Sequence, residues 1–476
     1  MFAQKLPFEL KLIVCMDNND GIGRNGKIPW SCPSDLKQFK QLTSGSTVLM
    51  GYQTWLSLPM YPKGLPKRRN IVLTRNHLTD ILLKEIGTDN VFADLHQAIQ
   101  SVDGTLWIIG GAQIYREVLT WYVPTQIYIT RIVGQYHCNA FFPSKLISPH
   151  YILDEIECPE KIVTQDTETV NIVTFQTMTF QNNEEKAYLN LFQKVLCDGN
   201  WRGDRTGVGT ISLFAPPDLK FSLRNGSLPV LTTKKMFTRG VLAELLWFMS
   251  GSTDSRILES QGVHIWKGNT STEFLQKRGL HYEQGDIGAG YGFQWRHFGA
   301  VYQGMNQDYT GQGIDQLANL VRDLRQDPES RRLLLCSWNT VDLDKMALPP
   351  CHLLYQCYVR QNSQGQKLLS AKMYQRSADS FLGVPFNIVS YALLTHILAA
   401  LTGMDADELT MSFGDYHIYQ THLEQVREQL RRPPYPFPKI RFTRDLIDLS
   451  PDQVRATDIH ILRSSSHPKI VADMSV

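Results

Sequence analysis

Six short runs rich in β-branched and aromatic residues, LKLIVCM, TVLMG, RNIVLTR, TLWIIGG, TQIYITRI and NIVTFQTMTF, punctuate residues 9 to 180, with helix-length segments between several of them. Runs of this composition read as strands, and their alternation with helices is the pattern of a wound α/β sheet. The pattern stops at a polar run, QNNEEK, after which AYLNLFQKVL carries apolar residues at helical spacing. A domain boundary is expected there: a first domain over 1–180, a short linker over 181–186 and a second domain over 187–476. So short a join leaves the two halves limited freedom. The second half mixes amphipathic helices (GVLAELLWFM, QLANLVRDL) with strands (RRLLLCSW, HLLYQCYVRQ, LLSAKMYQR), an α+β pattern. Its proline cluster, RRPPYPFPKI, cannot be helical and leads into a final strand.

A net charge of +2 over 476 residues gives no polyelectrolyte signature, so neither nucleic acid nor an anionic membrane is expected as a partner. The eight cysteines are scattered without a CxxC pair, which argues against a zinc site and a disulfide framework and for a reducing compartment. No metal is expected. The start, MFAQKLPFELKL, lacks the pattern of an export signal, so a cytoplasmic location is expected, and the sequons at Asn225 and Asn269 carry no weight. IVSYALLTHILAAL, from Ile388, falls short of the ~20 residues of a membrane span; with Tyr391 and His396 inside it, it reads as a buried core helix.

GIGRNG, residues 21–26, fits the dinucleotide pattern G-x-G-x-x-G. That fingerprint requires a helix opening at the last glycine and an acid about 20 residues on. Pro29 and Pro33 break any immediate helix, and the next strand, TVLM, ends at Gly51 without a carboxylate, so the run reads as a mobile glycine loop. Just beyond it, Asp35 stands at the start of a helix-like SDLKQFKQL. A first-turn Asp caps a helix or meets its dipole; it also suits a cleft that needs one carboxylate. Gly110 and Gly111 of WIIGGAQIY lie between a strand and a helix, where backbone N–H groups can approach a phosphate, and Arg75 ends the strand VLTR.

Taken in order, IGRNGKIPW, PSDLKQFKQLT, VLMGYQTW, LPKRRNIVLTR, IIGGAQIY and YITRI resemble dihydrofolate reductase across residues 9–180. The resemblance implies a central, mostly parallel mixed sheet flanked by helices, with NADPH as hydride donor. By the same resemblance Asp35 holds the pteridine through N3 and its exocyclic amine and helps deliver a proton to N5, with Thr130 as neighbour. Trp30 orders water, Phe39 packs on the folate and Arg68 pairs with its glutamate carboxylate. Gly23, Gly51, Thr54, Thr74, Arg75, Gly110, Gly111 and Tyr115 are the implied cofactor contacts, and residues 21–27 the loop over the nicotinamide. Two departures stand out: Tyr52 replaces the basic residue usual after Gly51, weakening one phosphate contact, and Lys67 replaces a frequent glycine, which puts the local turn in doubt.

In the second half, ALPPCHLLYQ presents Cys351 behind two fixed prolines, Pro349 and Pro350. A cysteine in apolar surroundings is usually inert core, yet rigid presentation suits a nucleophile. His352 is not simply its base, because adjacent strand residues face opposite ways. Cations lower a thiol pKa, and arginines recur in GDRTGVGT (Arg205), ESRRLLL (Arg331, Arg332) and YQRSAD (Arg376).

These runs, with FGDYHIYQTH, YGFQWRHFGA and RSADSFLGVPFNIVSYALLTH, resemble thymidylate synthase over 187–476. The resemblance implies an α+β synthase domain in which the Cys351 thiolate attacks C6 of dUMP and 5,10-methylenetetrahydrofolate supplies the methylene. Arg205 and Arg376 of one subunit, with Arg331 and Arg332 of its partner in a homodimer, bind the phosphate. Gln375 and Ser377 join the substrate contacts, Asn387 reads the uracil edge, and His417 and Tyr419 hold the ribose hydroxyl. Tyr291 and His352 support ordered water, and Trp266 and Asp379 the folate. Glu244, a carboxylate in an apolar helix, suits proton relay once burial raises its pKa; a structural buried ion pair is its other reading. Val476 closes over the site. Departures here are small: GAGYG lacks the common proline before Tyr291, and LFAPPDLKF is one residue longer than usual. Two rival readings are a synthase whose reductase half is an inactive scaffold, and an RNA-binding regulator using the arginine-rich cleft.

Overall fold

A computed structural model of the chain describes residues 8–75, 79–164, 168–203 and 207–473, the side chains of 158–161 and 163–171 excepted. It separates into two compact units: Met1–Asn182 with Pro434–Lys439 and Leu462–Pro468, and Asn183–Pro433 with Ile440–Ile461 and Lys469–Val476.

The amino-terminal unit runs β1 (Glu9–Asp17), β2 (Gly21–Gly23), β3 (Trp30–Ser31), α1 (Pro33–Thr43), β4 (Thr47–Gly51), α2 (Tyr52–Leu56), β5 (Arg69–Leu73), α3 (Asp80–Ile86), β6 (Val91–Phe92), α4 (Leu95–Gln100), β7 (Thr105–Gly110), α5 (Ala112–Trp121), β8 (Gln126–Ile132), β9 (Ala140–Phe141), β10 (Tyr151–Thr164) and β11 (Glu168–Phe180). Nine strands form one sheet in the order β3-β10-β11-β8-β1-β7-β4-β5-β6. Its centre is parallel and its β8-β11-β10-β3 side antiparallel. Strand alternation divides β1 between two layers: Leu10, Leu12, Val14 and Met16 meet Ile99 and Val118 of α4 and α5, while Ile13 joins Trp55 and Leu82 of α2 and α3. Both faces are covered, as a parallel centre requires. The expected α/β fold with a mostly parallel mixed sheet is the fold observed.

The carboxy-terminal unit continues with α6 (Asn183–Asp198), β12 (Asn200–Arg202), β13 (Thr210–Phe214), β14 (Leu219–Ser222), α7 (Thr238–Met249), α8 (Arg256–Ser260), α9 (Thr272–Lys277), α10 (Tyr291–His297), α11 (Gln316–Gln326), β15 (Leu334–Cys336), β16 (His352–Gln361), β17 (Lys367–Asp379), α12 (Gly383–Leu401), β18 (Asp405–Tyr419), α13 (Leu423–Leu430), β19 (Ile440–Phe442) and β20 (Ile459–Ile461). Its sheet runs β12-β13-β18-β17-β16-β15, with β14 also on β18. It is an α+β unit, and α12 packs on β17 and β18, buried along most of its length, which is why the apolar run from Ile388 reads as core.

Three details differ from expectation. The polar run after residue 180 is largely helix, since α6 starts at Asn183 with Glu184 and Glu185 in its first turn, where acids meet the helix dipole. The strand expected over RRLLLCSW narrows to Leu334–Cys336, the part that pairs with β16. Two stretches of the tail belong to the amino-terminal unit: Lys439 Nζ donates to the Thr120 carbonyl at 2.7 Å, and Arg463 donates to the Gln100 carbonyl at 2.8 Å with its guanidinium 4.4 Å over the Phe8 ring.

Candidate active sites

In the amino-terminal unit, β1 and β8 run parallel and set Cys15 beside Thr130. Pro33 occupies the first turn of α1, where its missing N–H costs nothing, and the N-cap position falls to Cys32, leaving Asp35 in the first turn, half-buried. Burial first, and the Asp35 charge second, push the Cys15 thiol and the Tyr115 phenol up from their ordinary pKa values. Trp30 is buried; its Nε1 donates to Cys15 Sγ at 3.2 Å. One turn along α1, Phe39 carries the Arg68 guanidinium 5.5 Å over its ring, and Arg68 Nε donates to Thr43 Oγ1 at 2.8 Å. Partial burial pulls the Arg68 pKa down.

GIGRNG is a hairpin. Arg24 and Lys27 exchange backbone hydrogen bonds of 2.8 and 3.0 Å around Asn25 and Gly26, with φ of 50° and 77°, the left-handed pair that a tight two-residue turn demands. Gly21 and Gly23 pair with Phe141 and Ala140. The expected glycine loop thus takes the form of a short hairpin, and Asn-Gly at its tip favours the turn.

A second cleft of about 490 Å³ is lined by Gly51, Tyr52, Thr54, Thr74, Arg75 and Gly111 among others. Gly111 caps α5, so the amides of that helix's first turn open on the cleft. A Cβ on Gly51 would come within 3.1 Å of Ile114 and one on Gly111 within 3.2 Å of Thr54; glycine lets another group approach the backbone closely here. These features fit a dinucleotide phosphate. Tyr115 is placed differently, buried with its hydroxyl donated to the Ile13 carbonyl at 2.7 Å.

The carboxy-terminal site lies where β16 begins. A bulge separates His352 from Leu354, and Cys351 stands just before it, its N–H donated to Tyr291 Oη at 2.8 Å. Opposite, the Arg376 N–H donates to the Cys351 carbonyl at 2.9 Å. The Arg376 guanidinium donates to the carbonyls of Pro349 and Pro350, both at 2.9 Å, lies 4.0 Å from Cys351 Sγ and covers the Trp338 ring. The two prolines thus present carbonyls that aim a cation at the thiol.

Behind it lies a buried polar cluster. The Tyr291 ring stacks on His352 with centroids 4.4 Å apart. His352 Nδ1 meets Tyr391 Oη at 2.8 Å, and burial holds the imidazole near a pKa of about 3, so it is neutral. Trp266 Nε1 donates to Glu244 Oε1 at 2.8 Å; burial raises that carboxyl to about 7 against this hydrogen bond. The bond to an uncharged indole replaces the buried ion pair that was the other expectation for Glu244.

At the far end of β17, Asp379 accepts the amides of Phe381 and Leu382 at 3.1 and 3.2 Å and pairs in register with His417 on β18. His417 Nδ1 meets Asp415 Oδ1 at 3.0 Å and its ring faces Tyr419. Gln375 Nε2 donates to the Ser377 carbonyl at 3.0 Å, and Asn387 sits in the first turns of α12, half-buried.

A dihydrofolate reductase family model matches residues 9–178 and a thymidylate synthase model residues 186–476. The bifunctional dihydrofolate reductase-thymidylate synthase of Zea mays is 38% identical, covering 98% of this chain and 96% of the maize protein. That of Paramecium tetraurelia is 37% identical with 98% of each chain covered, and the thymidylate synthase of Saccharomyces cerevisiae is 50% identical over 63% of this chain and all of its own. The chain belongs to the bifunctional dihydrofolate reductase–thymidylate synthases.

In its reductase unit Trp30 and Thr130 both adjoin Cys15, which feels the Asp35 charge, and Arg68, just ahead of β5, reaches Phe39 and Thr43 of α1; its synthase unit gathers Cys351, Arg376, Tyr291, His352, Glu244 and Trp266. Arg331 and Arg332 are exposed ahead of the edge strand β15, and no described contact ties them to that cluster. Arg205 and Val476 lie outside the described residues. Sequence reasoning missed Tyr391, which holds His352, and Trp338 under Arg376. From sequence Tyr391 reads only as part of a buried core helix and Trp338 only as the end of a strand run; the fold shows that they meet His352 and Arg376.

Proposed function

We propose that the two reactions of this family divide between the two sites as follows. In the synthase unit Cys351 Sγ attacks C6 of dUMP, and the Arg376 guanidinium favours the thiolate over the thiol. The resulting nucleophilic C5 captures the methylene of 5,10-methylenetetrahydrofolate, and the folate leaves as dihydrofolate after giving up hydride. Glu244, with its pKa close to working pH, holds or releases a proton at the pyrimidine through ordered water, and Tyr291 and neutral His352 keep that water in place. Asn387 matches the uracil edge, His417 and Tyr419 the ribose hydroxyl, and Trp266 and Asp379 the folate. The geometry of Cys351 against Arg376 carries this reading.

In the reductase unit Asp35 anchors the amidine-like edge of the pteridine as a bidentate acceptor and delivers a proton toward N5. Thr130 and Trp30 flank it, Phe39 packs on the folate, and Arg68 takes the glutamate carboxylate. NADPH supplies the hydride when bound. Gly51, Thr54, Thr74, Arg75, Gly110 and Gly111 hold it, with Gly23 in the hairpin and Tyr115 beneath.

The synthase works as a homodimer. Leu334, Tyr358 and Tyr374 share one face of its sheet by register and remain 41%, 65% and 37% exposed, an apolar patch suited to burial against a second copy. Arg331 and Arg332 stand at that sheet's edge, placed to reach the partner's phosphate site together with Arg205 and Arg376. The test is complementation. Cys351→Ser and Arg332→Ala are each inactive; mixed and refolded together, they regain dTMP formation, because one hybrid site has an intact Cys351 and the other subunit's intact Arg332. No recovery in verified hybrids overturns the shared site.

Division of the reactions is tested by following NADPH absorbance after dUMP and methylenetetrahydrofolate are added. Consumption that requires dUMP, and that Cys351→Ser or Asp35→Asn each abolishes, supports both assignments. Accumulating dihydrofolate with NADPH untouched leaves only the synthase active. Transfer of dihydrofolate between the sites without release is a further part of the reading; a full lag in the coupled reaction, as free diffusion gives, overturns it.

A further inference from the structure

Tyr391 lies on α12, buried to 3% exposure, with its phenol oxygen 2.8 Å from His352 Nδ1. Among the described residues that nitrogen is the one hydrogen-bond partner of the phenol. Its ring packs edge-on against His352 with centroids 5.4 Å apart and tilted against Tyr355 at 5.5 Å. Tyr355 turns its own hydroxyl to Thr395 Oγ1 at 2.8 Å, and Thr395 Oγ1 donates to the Tyr391 carbonyl at 2.7 Å, so this neighbouring pair is satisfied without the Tyr391 hydroxyl.

The donor inventory fixes the direction of the bond to His352. A phenol has one proton to place, and a neutral imidazole has one N–H and one bare nitrogen. Burial holds His352 near a pKa of about 3 and pushes the Tyr391 phenol up, so both are uncharged at neutral pH. A proton on Nδ1 would make Tyr391 the acceptor and bury its O–H without a partner, which is the costly arrangement for a donor. With Tyr391 as donor, Nδ1 accepts and the imidazole proton sits on Nε2. His352 keeps 8% exposure, and Nε2 has no partner among the described residues, so this N–H is left to a bound molecule or to ordered water. The plane of the ring is held by Tyr291 of α10, stacked at 4.4 Å, and by Phe248 of α7 at 6.2 Å.

We infer that Tyr391 is a positioning residue of the synthase: its O–H, donated to Nδ1, holds His352 as the Nε2–H tautomer, so that the histidine presents a donor and not an acceptor to the water beside the pyrimidine. The inference rests on the reading of His352 as a holder of that water. A water that receives the His352 N–H keeps both of its own protons for other acceptors, the Glu244 carboxylate or a uracil carbonyl; the opposite tautomer would draw one of them back to the imidazole.

The experiment measures dTMP formation by the full chain for the parent, Tyr391→Phe, Tyr355→Phe and His352→Ala, with the melting temperature as the control for folding. In Tyr391→Phe kcat falls roughly three- to tenfold, the size of one net hydrogen bond, while KM for dUMP stays within about twofold. Tyr355→Phe removes a hydroxyl of the same buried cluster that is bonded to Thr395 and not to His352, and it keeps the parental kcat. A tyrosine that only fills space predicts an unchanged kcat in Tyr391→Phe, or an equal fall in both variants, and either result overturns the inference. A second readout needs no turnover. With histidine labelled by nitrogen-15 in both ring positions, the signals of His352, identified as those lost in His352→Ala, show which nitrogen carries the proton. A proton on Nε2 of the parent supports the inference and one on Nδ1 overturns it. Should His352→Ala form dTMP at the parental rate, the reading of His352 fails and the inference falls with it; a slowed His352→Ala beside a parental Tyr391→Phe sinks the inference alone.

Discussion

Asp35 and Glu244 are both single carboxylates among apolar neighbours, but the chain treats them differently. Asp35 rides on the first turn of α1, half-buried, where its charge reaches the Cys15 thiol and the Tyr115 phenol. Glu244 is sealed within α7, has one indole N–H for a partner, and is surrounded by tyrosines and a histidine whose protonation burial also dictates. A carboxylate that must hold a cationic or amidine edge needs access and several donors. One that must trade protons near neutrality needs desolvation and few donors. The two sites hold the two kinds of carboxylate in one chain, and each is expected to be removable without the other.

The largest expected effect is the separation itself. Cys351→Ser lowers dTMP formation by at least about 10⁴-fold while dihydrofolate reduction is unchanged; a comparable loss of reduction would break the comparison by tying the sites together. Asp35→Asn does the converse, lowering dihydrofolate reduction about 10²–10⁴-fold with dTMP synthesis intact, assayed by product chromatography.

Glu244→Gln sharpens the contrast, because activity and stability move in opposite directions. Synthase turnover falls about 10²-fold. The folded carboxyl titrates near 7 against about 4.3 in an unfolded chain, so the folded state binds the extra proton between these values. Stability is lost as pH rises through that window. Glutamine removes the penalty, worth on the order of 3 kcal/mol at pH 8, and the variant's gain in melting temperature over the parent therefore grows from pH 5 to pH 8. A constant difference across that range would mean that Glu244 is not desolvated as described.

Most of the fold was legible because it follows period and composition: the six β-rich runs are strands, and α7, α11 and α12 fall on their apolar patterns. The first strand of the antiparallel β10-β11 pair was missed, since YILDEIECPEKIVT mixes charges into its alternation. The two prolines before Cys351 were legible as a rigid presentation of the thiol, while its role as nucleophile came only from the likeness to thymidylate synthase; that the proline carbonyls hold Arg376 was not legible. That is a long-range contact across a bulge. Local sequence likewise gave no sign that Arg463 and Lys439 would bond in the amino-terminal unit, or that Cys15, one residue in an apolar strand, would accept the Trp30 indole N–H. Lys67 was expected to disturb a turn that usually takes glycine; it adopts φ 58° there, so the turn survives at the cost of a left-handed lysine, typically about 1 kcal/mol.

Tyr52 gives the smallest effect and separates cofactor preference from chemistry. It follows Gly51 at the start of α2, on the wall of the cleft proposed for the cofactor, and its ring packs on Trp55 at 5.6 Å instead of presenting a cation. Arg75 is exposed on the same wall, so one guanidinium remains to distinguish a phosphorylated ribose. An arginine at 52 adds a second charge in a solvated setting, where such contacts are weak. Tyr52→Arg therefore raises the ratio of kcat/KM for NADPH over NADH by roughly three- to tenfold, mainly through KM, and the gain shrinks with added salt. The rate at saturating NADPH stays at the parental value, because Asp35 is not among the residues that line this cleft. A change in that rate with no change in the ratio would place Tyr52 in the chemistry of the reductase and remove the distinction between holding the cofactor and protonating the substrate.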